Sequence, residues 1–184
     1  MIKDSPRIVE KRETKLSKWL SVIERDIIFP GEIEKETYYS VRPYDYVSIL
    51  AVTDDQRIPL VQQYRPVLEM ENLELPGGLI DANKSPEETA LAELHEEAGL
   101  VASSVKSLGI LRPDPGRLEN RFHCFFSSNV EFDPNIVLEK RINLVWTNFD
   151  ELGKMLLDGR FNSSLQIALL ALASLKGYTR NLHI

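Results

Sequence analysis

The sequence predicts an α+β fold built on a mixed sheet, and three observations carry that reading. Short runs rich in β-branched and aromatic residues recur from residue 19 to 149, bounded by Pro, Gly, Asp and Asn. One amphipathic helix interrupts these runs and two more close the chain. So many strands with so few helices between them do not fit a regular βαβ alternation. The chain has 184 residues, 43% of them hydrophobic, enough for a proper core in one domain, or in one domain with a small N-terminal extension.

In chain order, "WLSVIERDIIF" and "EKETYYSV" read as short strands separated by the turn signal "PGE". "DYVSILAVT" and "RIPLVQQYR", joined by "DDQ", read as a hairpin. A strand and glycine-rich loop, "LELPGG", leads to the first helix, followed by "VKSLGIL", a Pro/Gly-rich loop, "RFHCFFSSNVEF" and "RINLVWTNF". The closing helices are expected near 149–158 and 164–176, the last apolar nearly all round and therefore packed into the core. Tyr38, Tyr39, Tyr44, Tyr46 and Tyr64 alternate with apolar residues, which favours sheet packing over stacking on a nucleobase. Phe122, Phe125, Phe126 and Trp146 read as packed by the same argument.

Composition narrows the function classes. A net charge of -6 argues against nucleic acid or an anionic membrane as partner, but leaves room for a phosphorylated small molecule at a local site. Cys124 is the only cysteine, so no internal disulfide is possible and a reducing compartment fits. The charged start lacks an apolar stretch of signal-peptide length, and the longest apolar run, "IALLALASL", is too short to span a bilayer. The expectation is a soluble cytoplasmic protein.

The first helix has strong boundaries. Ser85 suits the N-cap, Pro86 the first helical position and Glu88 the capping-box acid, while Gly99 is a natural stop. Leu91, Leu94 and Ala98 form an apolar stripe with Ala90 beside it. Glu93, Glu96 and Glu97 cluster on a neighbouring arc, where like charges repel by a few tenths of a kcal/mol per pair. They also lie in the last turn, where the helix dipole disfavours negative charge. A solvated acidic face is the plain alternative. Placement against local stability, next to a glycine-rich turn, instead suits a hard divalent cation, which takes carboxylate and carbonyl oxygens. The stretch "GLIDANKS" approaches a phosphate-binding P-loop, but Asn83 replaces its second glycine and Pro86 removes a donor at the helix start.

From Gly78 onward these residues resemble the signature of the Nudix hydrolase family: Gly, five residues, Glu, seven residues, Arg-Glu-apolar-x-Glu-Glu-x-Gly-apolar. Gly78, Glu93, Leu94, Glu96, Glu97, Gly99 and Leu100 fall in register, while Lys84 replaces the first Glu and Ala92 the Arg. "VQQYRP", "ELPGGLID" and "PDPGRLENRFHCFF" are similar to stretches of the ADP-ribose and nucleoside-diphosphate-sugar pyrophosphatase branch. The resemblance implies an α/β/α sandwich with a mixed sheet plus a small N-terminal antiparallel sheet. It divides the chain into residues 1–43, a dimerisation extension, and residues 44–184, the hydrolase domain.

Carried over residue by residue, the resemblance makes Gly77, Glu93, Glu96 and Glu97 the holders of Mg²⁺ or Mn²⁺, Gly77 through its carbonyl. Glu93 and Glu97 are also the catalytic carboxylates. Glu139 is the preferred general base, with Glu119 and Glu131 as alternatives. Arg65, Arg117 and Glu119 are candidate substrate contacts, each with a plain strand-end or loop reading beside it. The implied reaction cleaves the diphosphate of ADP-ribose or a related nucleoside-diphosphate sugar, in a homodimer. Lys84 and Ala92 remove two residues that orient the catalytic carboxylates in the family, so a Nudix-fold nucleotide-binding module without turnover is the alternative. His95 offers a partial substitute, against its plain reading as an exposed helix histidine.

Overall fold

The computed structural model describes residues 5–128 and 130–179. The outermost ends of both expected domains, and Asn129 in the stretch read as "RFHCFFSSNVEF", lie outside them. The chain clusters into two compact units: residues up to Tyr44 together with Arg112–Arg121, and Asp45–Leu111 together with the chain from Phe122 onward.

The first unit is a three-stranded antiparallel sheet in the order β1 (Arg7–Lys15), β2 (Ser21–Ile28), β3 (Glu36–Arg42). β1 escapes sequence reading because almost every residue in it is exposed, so its charges show no alternation. Beyond its antiparallel pairing with β2, it is tied in through one buried acid. Asp26 on β2 accepts hydrogen bonds from Arg12 of β1, from Lys35 and from Thr37 of β3, and these bonds, Arg12 foremost, hold its carboxyl well below the usual range. The segment 112–121 lies along β3, with Val41 donating to the Arg117 carbonyl at 2.7 Å and Glu119 N–H donating back to Val41 at 3.0 Å.

The second unit has the sandwich the resemblance implies. A mixed sheet runs β4 (Tyr46–Ala51), β9 (Phe122–Ser127), β8 (Lys106–Leu111), with β4 and β9 parallel. An antiparallel sheet runs β11 (Ile142–Thr147), β5 (Ile58–Arg65), β6 (Met70–Glu74), and β7 (Leu100–Ala102) pairs with β10 (Val130–Phe132). Strand alternation divides the core. Leu50 with Phe122, Cys124 and Phe126 faces helices α2 (Phe149–Leu157) and α3 (Ser164–Leu175), whereas Val47, Ile49, Ala51 and Phe125 face α1 (Pro86–Ala98). α3 buries Gln166, Leu169, Leu170 and Ala173, so its core-facing side is real, but its end is open, with Leu175 exposed.

Two expectations need correction. The segments 45–53 and 57–65 do not form a hairpin. The turn between them is tight, Thr53 N–H reaching the Arg57 carbonyl at 3.0 Å, yet the strands enter different sheets. The edge of β4 that β5 would need is taken by the glycine-rich loop, since Val47 and Ile49 donate to the carbonyls of Gly78 (2.9 Å) and Pro76 (3.0 Å). Nor are the tyrosines mainly packed: Tyr38, Tyr39, Tyr44 and Tyr64 are exposed. Tyr46 alone of the five fits the expectation, its ring 4.8 Å from that of Phe122. Phe122, Phe125 and Phe126 are buried as expected, and Trp146 is half-buried under the Arg57 guanidinium.

Candidate active site

Local chemistry builds the acidic face of α1 as the sequence suggests. Ser85 accepts from Glu88 N–H at 3.1 Å while the Glu88 carboxylate accepts from Ser85 N–H at 2.7 Å, closing the capping box. Pro86 opens the helix, and Gly99 ends it in the left-handed region at φ 69°. With both ends pinned and Ala90, Leu94 and Ala98 buried, Glu93 and Glu97 turn toward a cavity of about 330 Å³.

The glycine-rich loop forms the facing wall. Pro76 and Gly78 bond to β4, while the N–H of the intervening Gly77 donates to Glu97 at 2.9 Å. Both glycines are sterically required. A Cβ on Gly77 would stand 2.2 Å from the Val47 carbonyl oxygen, and one on Gly78 would stand 2.1 Å from Glu93 Oε1. The carboxylate of Glu93 fills the space a side chain at 78 would need.

Glu139 and Arg65 line the same cavity, as do Glu74, Gln63 and Tyr46. The backbone N–H of Glu139 donates to the Glu96 carbonyl at 3.0 Å, which ties its segment to the end of α1. Arg65 addresses Glu74 with both prongs of its fork, at 2.7 and 2.5 Å, and Asn72 adds a bond at 3.0 Å. Burial acts upward on Glu74, but these bonds prevail and hold it below its ordinary value. The Glu96 side chain is exposed and stands outside this lining; Glu131 is exposed as well. His95 is half-exposed and meets Asp133 at 3.1 Å.

Arg117 and Glu119 belong to the other unit, where they border a concavity with Tyr38, Tyr39 and Arg112. The Glu119 carboxylate accepts from Ser40 at 2.7 Å and pairs with Arg42 and Arg25. Burial works against ionisation there, yet these bonds pull Glu119 down to about 2. Its structural work is to fasten segment 112–121 to the sheet.

The cavity carries four carboxylates, Glu74, Glu93, Glu97 and Glu139, against the one guanidinium of Arg65. Burial, reinforced by the charges of Glu96 and Glu139, pushes Glu93 up to about 7; Lys84 works against that rise. Burial likewise pushes Glu97 up to about 8, against the bond from Gly77 and with help from Glu93. Among the described residues no three acidic, histidine or cysteine side chains converge into a closed metal cage. The donor set nevertheless suits Mg²⁺, which keeps several waters and takes one or two carboxylates plus substrate phosphates. Glu93 and Glu97 offer carboxylate oxygens of that kind beside a surplus of negative charge.

A pH dependence follows. Both carboxylates hold their protons more tightly in the folded chain than at the ordinary value of 4.5. Between that value and about 8 the folded state binds more protons than the unfolded one, so stability falls as pH rises through the window and levels off above it. Metal-free protein should therefore melt at a lower temperature at pH 8 than at pH 6, and Glu97→Gln should flatten the slope. A melting temperature that is constant across this range in the parent chain contradicts the assignment.

Glu74, Gln63 and Gln166 were not singled out by sequence reasoning, and Tyr46 only as a packed or stacking ring. Glu74 stands inside the quoted "ELPGGLID" and was accessible there; Gln166, 91 positions from its partner Leu75, carries no local signal.

The fold and this site define a class. The NUDIX domain model matches residues 43–169, and the chain belongs to the Nudix family. An ADP-ribose pyrophosphatase of Bacillus subtilis (strain 168) is 33% identical over 112 residues, covering 61% of this chain and 58% of that protein. A CMP-5'-(N-acetyl-N-hydroxy-3-aminopropyl)phosphonate hydrolase of Streptomyces rubellomurinus is 30% identical over 165 residues, 88% of this chain and 79% of the other. The match thus spans under two thirds of the Bacillus protein's length. The crystal structure of an ADP compounds hydrolase superposes with a TM-score of 0.78 over 95% of this chain and 97% of that one, at 22% identity, a likeness of fold. No helix among the described residues is long and apolar enough to cross a membrane.

Proposed function

We propose that this chain is a metal-dependent pyrophosphohydrolase that cleaves the diphosphate of ADP-ribose or a related nucleoside-diphosphate sugar. The observation that supports it most is the pairing of a buried carboxylate, Glu97, and a half-buried one, Glu93, with a glycine loop that packs directly against them. Similarity to an ADP-ribose pyrophosphatase favours the substrate class. Glu93, Glu97 and the Gly77 carbonyl would hold Mg²⁺ or Mn²⁺. Such an ion, when bound, neutralises diphosphate charge and makes a coordinated water more acidic.

The chain's own residues do the rest. Glu139, at the mouth of the same cavity, takes a proton from the attacking water. The new bond forms between that water's oxygen and one phosphorus while the bridging P–O bond breaks, giving a nucleoside monophosphate and a sugar phosphate. Arg65, its fork fixed by Glu74, presents a permanent positive charge in a set orientation to the phosphates. Tyr46 and Phe122 give the cavity an apolar wall.

Product analysis on ADP-ribose, other nucleoside-diphosphate sugars, CMP-linked phosphonates, dinucleotides and nucleoside triphosphates tests this reading. Release of AMP and ribose 5-phosphate from ADP-ribose is the expected result. Preference for a CMP-linked compound would keep the chemistry and overturn the substrate, as the Streptomyces relative's name suggests it could. Ligand binding with no turnover would favour the silent module that Lys84 and Ala92 first raised.

A further inference from the structure

We propose that Gln166 is a positioning residue for the carboxylate cluster, holding the Leu75–Gly78 loop in the register from which Gly77 grips Glu97. The proposal rests on the reading that Glu93, Glu97 and Gly77 hold a divalent cation. It concerns a residue of the C-terminal helix, far in sequence from the signature.

The loop's polar backbone can be followed group by group. Leu75 N–H donates to Gln166 Oε1 at 2.7 Å, and the Leu75 carbonyl accepts from Gln166 Nε2 at 3.4 Å. The Pro76 carbonyl accepts from Ile49 N–H and from Ser48 Oγ, each at 3.0 Å. Gly77 N–H goes to Glu97, and the Gly78 carbonyl accepts from Val47 N–H. β4 therefore clamps the loop from one side at Pro76 and Gly78, and a single side chain from α3 fixes its entry at Leu75.

That side chain suits the task. Gln166 is 7% exposed and Leu75 is 1% exposed, so water is not at hand to replace the bonds. A planar amide matched donor-to-acceptor with a peptide group sets both position and direction, which an apolar residue of equal volume does not. Loss of the pairing leaves a buried N–H without a partner, and the loop must move to satisfy it. Any such movement carries Gly77 away from Glu97 two residues later. Residues that orient metal ligands from behind typically change metal affinity or activity ~10- to 100-fold.

The test is Mn²⁺ binding to the full chain, followed by electron paramagnetic resonance with the metal alone, alongside kcat and KM for ADP-ribose at saturating metal. Gln166→Met, with folding checked by near-ultraviolet circular dichroism, should bind Mn²⁺ about tenfold more weakly and lower kcat with little change in KM. Gln166→Asn, whose amide is one methylene too short to reach Leu75 from the same backbone, should weaken Mn²⁺ binding in the same direction. Folded Gln166→Met with parental Mn²⁺ affinity overturns the proposal. If Gln166→Met does not fold, folded Gln166→Asn decides: weakened affinity supports the proposal, and parental affinity overturns it. A parent chain that binds no Mn²⁺ removes the cation and this proposal together. One that binds Mn²⁺ but hydrolyses nothing fails only the functional reading.

Discussion

Glu97→Gln should lower turnover by more than the ~100-fold that outer-shell partners of a metal typically cost, while leaving the chain folded. Glu97 is 3% exposed, and its carboxylate both accepts from Gly77 N–H and faces the cavity. Gln has the same shape and keeps an oxygen for Gly77, but lacks the charge that would bind a cation. The same charge is what burial penalises, pushing Glu97 up to about 8. The variant should therefore be more stable than the parent in metal-free buffer at pH 8 and yet nearly inactive. That opposition between stability and activity marks a site arranged for function. Steady-state kinetics and chemical denaturation on the same preparation check it; a variant with half the parental rate would remove Glu97 from the mechanism.

The two glycines of the loop should fail in different ways. Gly78→Ala places a Cβ 2.1 Å from Glu93 Oε1, the far end of a flexible side chain. The carboxylate can swing aside, so the chain should fold normally, but a displacement of ~1 Å at a catalytic group can cost ~100-fold in rate. Gly77→Ala meets backbone instead, the Val47 carbonyl oxygen at 2.2 Å and Ser48 Cα at 2.8 Å. β4 cannot yield so cheaply, and overpacking of this kind destabilises by about 1–3 kcal/mol. Urea unfolding beside turnover separates the two. Equal stability loss in both variants would mean that the Glu93 side chain does not yield, and full activity in Gly78→Ala would mean that Glu93 does not need its present position.

Helix α1 was legible because its signals are local: a cap, a proline, a capping-box acid and a terminal glycine lie within one short stretch. The acidic cluster was legible because helical spacing alone brings Glu93 and Glu97 to one face. What sequence could not supply was the far side of the cavity. Glu74 and Arg65 come from adjacent strands, and Gln166 from a helix 91 positions beyond its partner Leu75. The hairpin expectation failed for a related reason: which neighbour takes the edge of β4 is decided by a loop more than twenty residues downstream. β1 left no trace because an exposed strand needs no hydrophobic alternation.

Two features of the site bear on the departures at Lys84 and Ala92. Glu97 accepts from the Gly77 N–H, and Glu93 lies against Gly78. Lys84 adds a positive charge within reach of Glu93, which favours its ionised form.

The central claim is that these carboxylates act through a divalent cation on a diphosphate. The most direct measurement is AMP release from ADP-ribose by the purified chain in Mg²⁺, after addition of a chelator, and after Mg²⁺ is restored. Turnover should stop with the chelator and return with the metal. Turnover that persists unchanged in chelator, or its absence from folded protein throughout, would contradict it.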